Sequence, residues 1–393
     1  MKSILFIISL IVLSCGLTSR ESSRQDNQKN VIHTNADAGM ASDSLKDDAI
    51  QNQLVQTGSM HTARAVHTAT RLKNGKVLIC GGFAGNNNYI ASVEIYDPAS
   101  NTFRQAGNMA VPRLSHSATL LPDGKVLIAG GYDGTYLSST EIFDPETERF
   151  SPGPEMTAPR MGHTATLLNN DKILFAAGVG RGWTFLQSAE VYDIEAKSFS
   201  STGSLHATRE SHTATLLKNG TVLISGGHSG RRADIKIYAS AEIYDPATGQ
   251  FTETGKMNIR RHKHDAVLLS DGSVLITGGA DERDYGGIYT SAEIYHPDSG
   301  IFKTTADMNL PRFKHNGSSV LLAGGKVLIA GGTDRAEIFD ALNNKFEMVE
   351  GSMKSRRFFS SVTLLQNNHV LITGGYDDNT QAGNQAWIYK QAN

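Results

Sequence analysis

The stretch Arg209 to Gly227, RESHTATLLKNGTVLISGG, constrains this chain more than any other feature, because it or a recognisable variant occurs seven times. Each copy reads as a β-hairpin. A threonine-rich run, Thr213 to Leu217, meets the pair Asn219-Gly220, and Val222-Leu223-Ile224 runs back to a double glycine. An Asn-Gly pair between two such runs predicts a type I′ turn, with φ > 0 at both central residues. The other copies begin at Arg64, Arg113, Arg160, Arg261, Arg312 and Arg357. A unit this small cannot bury its own apolar face, so the copies must stack into one array rather than divide the 393 residues among separate domains.

Downstream of each double glycine comes a variable stretch and then a third strand, Glu94-Ile95-Tyr96 in the first unit and Glu242-Ile243-Tyr244 in the fourth. Turns of the type Asp97-Pro98 and Asp245-Pro246 follow, using the fixed φ of proline and the side-chain acceptor of aspartate. A fourth strand then carries one aromatic, among them Phe103, Phe150, Phe199 and Phe251. The anchors recur about every 48 residues. Four short strands per unit, each unit with two faces to cover, predict an all-β propeller of seven four-stranded antiparallel blades. The set of double Gly, Glu-x-Tyr, aromatic and Arg-x-x-His resembles the kelch-repeat family, and it covers the chain from about Leu54 to Tyr389. Phenylalanine stands where that family has tryptophan on the fourth strand. The seventh unit reaches Trp387-Ile388-Tyr389 without a fourth strand of its own, while Leu54 to Met60 copies the fourth-strand pattern, so the N-terminal strand is expected to complete the last blade.

Residues 1–15 read as a leader: Lys2 supplies a positive end, Ile4 to Leu13 an apolar run, and Val12-Leu13-Ser14-Cys15 resembles a bacterial lipobox. Lipidation of Cys15 and a location at the bacterial cell envelope, anchored to a membrane, are expected. Residues 16–51 are polar and lack apolar periodicity; they read as a tether of roughly 33 Å root-mean-square span, leaving 52–393 as the propeller. The only other cysteine, Cys80, occupies a place held elsewhere by Ala, Ser or Thr and reads as a packed small residue. A net charge of −2 without a basic block gives no footprint for nucleic acid.

The recurring Arg, His and Glu are the obvious chemical groups, yet a catalytic site needs one constellation and these are copied around the ring. They are read as buried groups satisfying one another between blades. Function is expected where the repeats differ, on the face that carries the loops between second and third strands and between blades. Candidate ligand-binding residues there are Trp183, Arg181, Arg231, Arg232, Tyr132, Tyr285, Tyr289 and Arg283, since aromatics and arginines on loops above a rigid scaffold compose recognition surfaces. A metal site from His228, His262 and His264 is disfavoured, because the sequence fixes no carboxylate beside them, and no cofactor motif is present. The expectation is a monomeric surface module that binds a protein or a glycan, not an enzyme. The family resemblance also implies a rival, a carbohydrate-active enzyme similar to sialic-acid epimerases or galactose oxidases.

Overall fold

A computed structural model of the chain describes residues 52–281 and 287–391; Cys15, the leader and the tether lie outside them. Among the described residues, seven four-stranded antiparallel sheets form a closed ring. Blade 1 comprises Thr68–Arg71, Val77–Cys80, Val93–Asp97 and Thr102–Gln105, hydrogen-bonded in that order. Blades 2 to 6 repeat the plan, and the first strand of each blade touches the first strands of both neighbours, so these strands surround the central channel. In blade 7 the fourth strand is Gln53–Gln56, paired antiparallel with Ala386–Lys390 in the register Leu54↔Tyr389 and Gln56↔Trp387. The ring is thus closed by hydrogen bonds between the two ends of the propeller.

The second strand of each blade is buried along its length, as in Val77–Cys80 and Val222–Ser225, except for Lys172 at the start of that strand in blade 3. Such strands read as continuous apolar runs because a neighbouring blade covers each face. Between blades 1 and 2, Leu78, Cys80, Val93 and Ile95 meet Val126, Ile128 and Phe143. Burial pushes the Cys80 thiol up to about 12, which suits a packing residue and not a nucleophile.

The hairpin turn departs from type I′. In blade 4 the Gly220 amide donates to the Leu217 carbonyl and the Leu217 amide to the Thr221 carbonyl, and Gly220 has φ +86°. Asn219 is absent from the residues with positive φ; its Oδ1 instead accepts from the Thr221 amide at 3.1 Å. This is a three-residue loop, a type I turn closed by a left-handed glycine, in which the Asn side chain caps the bend rather than taking φ > 0 itself. Asp123 and Asp271 accept from Lys125 and Ser273 in the same way, which explains why Asn and Asp alternate there.

The repeated polar groups tie blades together. Arg64 Nη1 donates to the carbonyls of Gly81 and Ser92, and Nη2 to Glu94 Oε1 at 2.9 Å. Glu94 also accepts from the amides of His61 and Thr62, anchoring the chain as it enters the blade. Each histidine reaches back to the preceding blade: His116 Nε2 lies 3.0 Å from Thr68 Oγ1, His212 Nε2 3.0 Å from Thr164 Oγ1, and His67 Nε2 2.9 Å from Thr373 Oγ1 across the closure. Blade 7 lacks the glutamate, and there the Arg357 guanidinium sits 5.1 Å from the Trp387 ring centre, a cation–π contact in place of an ion pair.

Candidate functional site

The two residues that follow each repeated Arg, ahead of the His or, in blade 7, Ser360, lie at the mouth of the channel, on the loop face. The second of them is left-handed in every blade: Val66, Ser115, Gly162, Ser211, Lys263, Lys314 and Phe359 have φ between +50° and +61°. Their backbones form a collar. The Ser115 amide donates to the Val66 carbonyl, Gly162 to Ser115, Lys263 to Ser211, Lys314 to Lys263, Phe359 to Lys314 and Val66 to Phe359. A valine and a phenylalanine in this region carry strain, which the collar hydrogen bonds offset. The repeat therefore fixes the backbone at the mouth and leaves its side chains free to vary.

Below the collar, a channel cavity of about 360 Å³ is lined by first-strand hydroxyls such as Thr68 and Thr164 and by the repeated imidazoles. Above it, a pocket of about 60 Å³ is walled by Trp183, Phe185, Met161 and Val179 and reaches Glu210, Ser211 and His228. Val66, Ser115, Glu210, Ser211 and Phe359 border both spaces, so the two adjoin at the collar.

Of the loop residues expected to bind a ligand, the structure brings two together. Trp183 belongs to the short 3-10 turn Arg181–Trp183 of blade 3, and the guanidinium of Arg231, from blade 4, lies 4.0 Å from its ring centre. The indole is half-buried and Arg181 beside it is exposed. Tyr132 is 2 % exposed and lies under this surface, edge-on to Tyr89 at 5.6 Å and to Tyr136 at 5.2 Å. Tyr136 continues to Trp183 at 6.1 Å. An aromatic row therefore crosses blades 1 to 3 and ends beneath Arg231. Tyr289 stands apart, in blade 5, half-buried with the Arg261 guanidinium 5.6 Å from its ring. Tyr238 covers Arg209 in the same manner, so Tyr289 shields a repeated arginine. Arg232 begins the 3-10 turn Arg232–Asp234; Arg283 and Tyr285 lie outside the described residues.

Glu210 escaped the sequence reading, which found no carboxylate beside His228 and His262. Glu210 Oε2 accepts from Ser211 Oγ at 2.8 Å and lies 3.4 Å from His228 Nδ1. His228 Nδ1 is in turn 3.2 Å from His262 Nδ1. His264 belongs elsewhere, 3.2 Å from Thr213 in the interblade set. Burial, with Lys263 and the other imidazoles adding to it, holds His262 well below the usual histidine range. Among the described residues no three His, Cys, Asp or Glu side chains are placed to hold a metal ion.

Comparisons with known proteins agree with this architecture. The kelch motif model matches residues 65–110 and 113–157. Over 98 residues the chain is 31 % identical to spermatocyte protein spe-26 of Caenorhabditis elegans, a match covering 25 % of this chain and 16 % of that protein's length. Among solved structures, a novel fungal alcohol oxidase of the AA5 family in complex with copper superposes with a TM-score of 0.67 at 17 % identity. That alignment covers 86 % of this chain and 75 % of the oxidase, and it speaks to the fold alone.

Proposed function

The chain belongs to the kelch-repeat β-propeller family, and on that premise we propose that it is a binding module recognising a protein or glycan through its loop face, centred on Trp183 and Arg231. Propellers of this family commonly mediate protein binding. The observation that carries the reading is the contact between Trp183 and Arg231 across two blades. It presents an indole and a guanidinium, the side chains that most often dominate interface energies, on a surface that the repeat does not require. The repeated Arg and Glu bond to each other within the unit they open and the repeated His bonds to the preceding blade, so packing accounts for them without a ligand.

The proposed setting is the bacterial cell envelope, with Cys15 lipidated and residues 16–51 holding the propeller away from the membrane. Replacing Cys15 with Ala should release the protein into the soluble exported fraction; equal membrane retention would refute the anchor. A glycan and extracellular-matrix array probed with the propeller tests the binding reading. It expects a hit that Trp183→Ala removes, and an array without a Trp183-dependent hit would count against it.

A further inference from the structure

Six blades of the ring show what the opening arginine of the repeat binds. Arg64, Arg113, Arg160, Arg209, Arg261 and Arg312 each meet the glutamate of their own third strand at 2.8 to 3.0 Å. That carboxylate also collects amides of the chain entering the blade, His61 and Thr62 at Glu94 and Ala110 and Val111 at Glu141. Blade 7 keeps the arginine and omits its acceptors. Trp387 stands in the place of the glutamate, and Gln385 in that of Ser92 and Ser240. The Arg357 guanidinium is laid on the Trp387 ring, and among the described residues no oxygen accepts a hydrogen bond from it. Asp377 lies near enough to favour its charge, but Asp377 Oδ1 is held by the amides of Asn379 and Gln381. Nη1 of Arg357 reaches under Gly383, where a methyl group would sit 2.6 Å from it and from Gln385 Oε1, and that oxygen is itself buried without a partner. The entering chain is changed too: the Lys354 amide turns to Ser352 Oγ, and the Ser355 amide, counterpart of Thr62, has no acceptor among the described residues. Arg357 is 8 % exposed where its six counterparts are 0 or 1 %. The loop beside it, Thr333 to Arg335, is the shortest of its kind in the ring and leaves this edge of blade 7 open.

We propose that the Arg357 guanidinium, the Ser355 amide and the Gln385 side chain form a site on blade 7 for a carboxylate brought by a ligand, which takes the part played in the other six blades by the repeat's own glutamate. A guanidinium stacked on an indole is fixed in one plane and presents its N–H edge to a two-oxygen acceptor, the geometry that carboxylates match. Leaving a largely buried guanidinium without acceptors costs stability that a bound carboxylate recovers. The carboxylate is that of an acidic side chain or of a free small acid. This site lies in a different blade from Trp183 and Arg231 and does not depend on that surface.

The test uses the full chain in calorimetry and thermal melting. The probes are glutarate, a free acid, and the α-amide of N-acetylglutamate, an acidic side chain without other charge, with sulfate and chloride as controls. At least one probe is expected to bind with a Kd on the order of 1 mM and to raise the melting temperature. Binding of glutarate alone assigns the site to free acids, and binding of the amide assigns it to acidic side chains. Arg357→Gln should abolish binding, and Arg357→Lys, which keeps the charge and loses the fork, should weaken it about tenfold. Without a probe, Arg357→Gln should leave melting nearly unchanged, whereas Arg209→Gln, which strands the buried Glu242, should lower it. Failure of both probes to bind the wild type, equal binding of sulfate or chloride, or binding that survives Arg357→Gln would overturn the site. So would a loss of stability in Arg357→Gln as large as that in Arg209→Gln, because Arg357 would then be a structural residue like its counterparts.

Discussion

The Arg231 guanidinium carbon lies 4.0 Å from the centre of the Trp183 ring, although the two residues come from different blades and neither belongs to the repeat. A cation so close to an indole face is held by the ring quadrupole and excludes water from that face. Removing it should change the environment of Trp183 while leaving the sheets alone. Arg231→Ala is expected to red-shift tryptophan emission, because the half-buried indole gains solvent. Trp387, which is 2 % exposed, is the only other tryptophan, so Arg231→Ala in a Trp183→Ala background should leave the spectrum unmoved. A shift that persists there would show that the cation–π contact is not its source.

The interblade histidines make acid lability predictable in sign. Burial, with the neighbouring arginine adding to it, holds His67, His116, His212 and His315 at about 3, and His163 and His264 well below the usual range. A folded-state value below the unfolded one means that the folded state prefers the neutral imidazole. The contribution is therefore fully present above about 6.5 and is lost as pH falls toward 3. Each histidine costs on the order of 1 kcal/mol per pH unit in that window. Melting temperature is expected to fall steeply between pH 6.5 and 4, and less steeply once His212 has been replaced by Ala. A melting temperature flat across that window would contradict the neutral, buried assignment.

The closure of the ring yields a third expectation. Leu54 is buried between the last two blades and pairs with Tyr389; its amide also donates to the Glu350 carbonyl of the preceding blade. Deleting residues 16–48 removes none of this, so the melting temperature should stay within a degree or two. Deleting residues 16–60 strips the outer strand from blade 7 and exposes the edge of Ala386–Lys390, and should lower it by many degrees. Equal melting of the two truncations would refute the latch.

Most of the fold was legible because the repeat announces it: double glycines, Glu-x-Tyr strands and the borrowed N-terminal strand all stand where the sequence places them. The turn type was not legible, since an Asn-Gly pair suits both a two-residue and a three-residue hairpin, and the choice depends on the Asn219 side chain reaching the Thr221 amide. The functional face was only half legible. Composition singles out Trp183 and Arg231, but only folding shows that they meet and that Tyr132 lies buried beneath the row leading to them. Glu210 was visible in principle. Aligning the six Arg-x-x-His segments with Arg357-Phe358-Phe359-Ser360 isolates it as the lone carboxylate at its place, whereas reading them for their shared letters conceals it.

The central claim is that the repeated residues hold the propeller together while the variable loops bind. Parallel measurement of thermal melting and ligand affinity in two single variants tests it most directly, with the ligand returned by the array. Trp183→Ala should weaken binding by ~2 kcal/mol or more, about thirtyfold, with melting unchanged. His212→Ala, which leaves the Thr164 hydroxyl without its imidazole partner, should lower stability by roughly 1 to 3 kcal/mol and leave the affinity of the folded protein nearly intact. If His212→Ala abolished binding or a measurable turnover while melting stayed unchanged, the repeated residues would be serving function directly and the division of labour would be wrong.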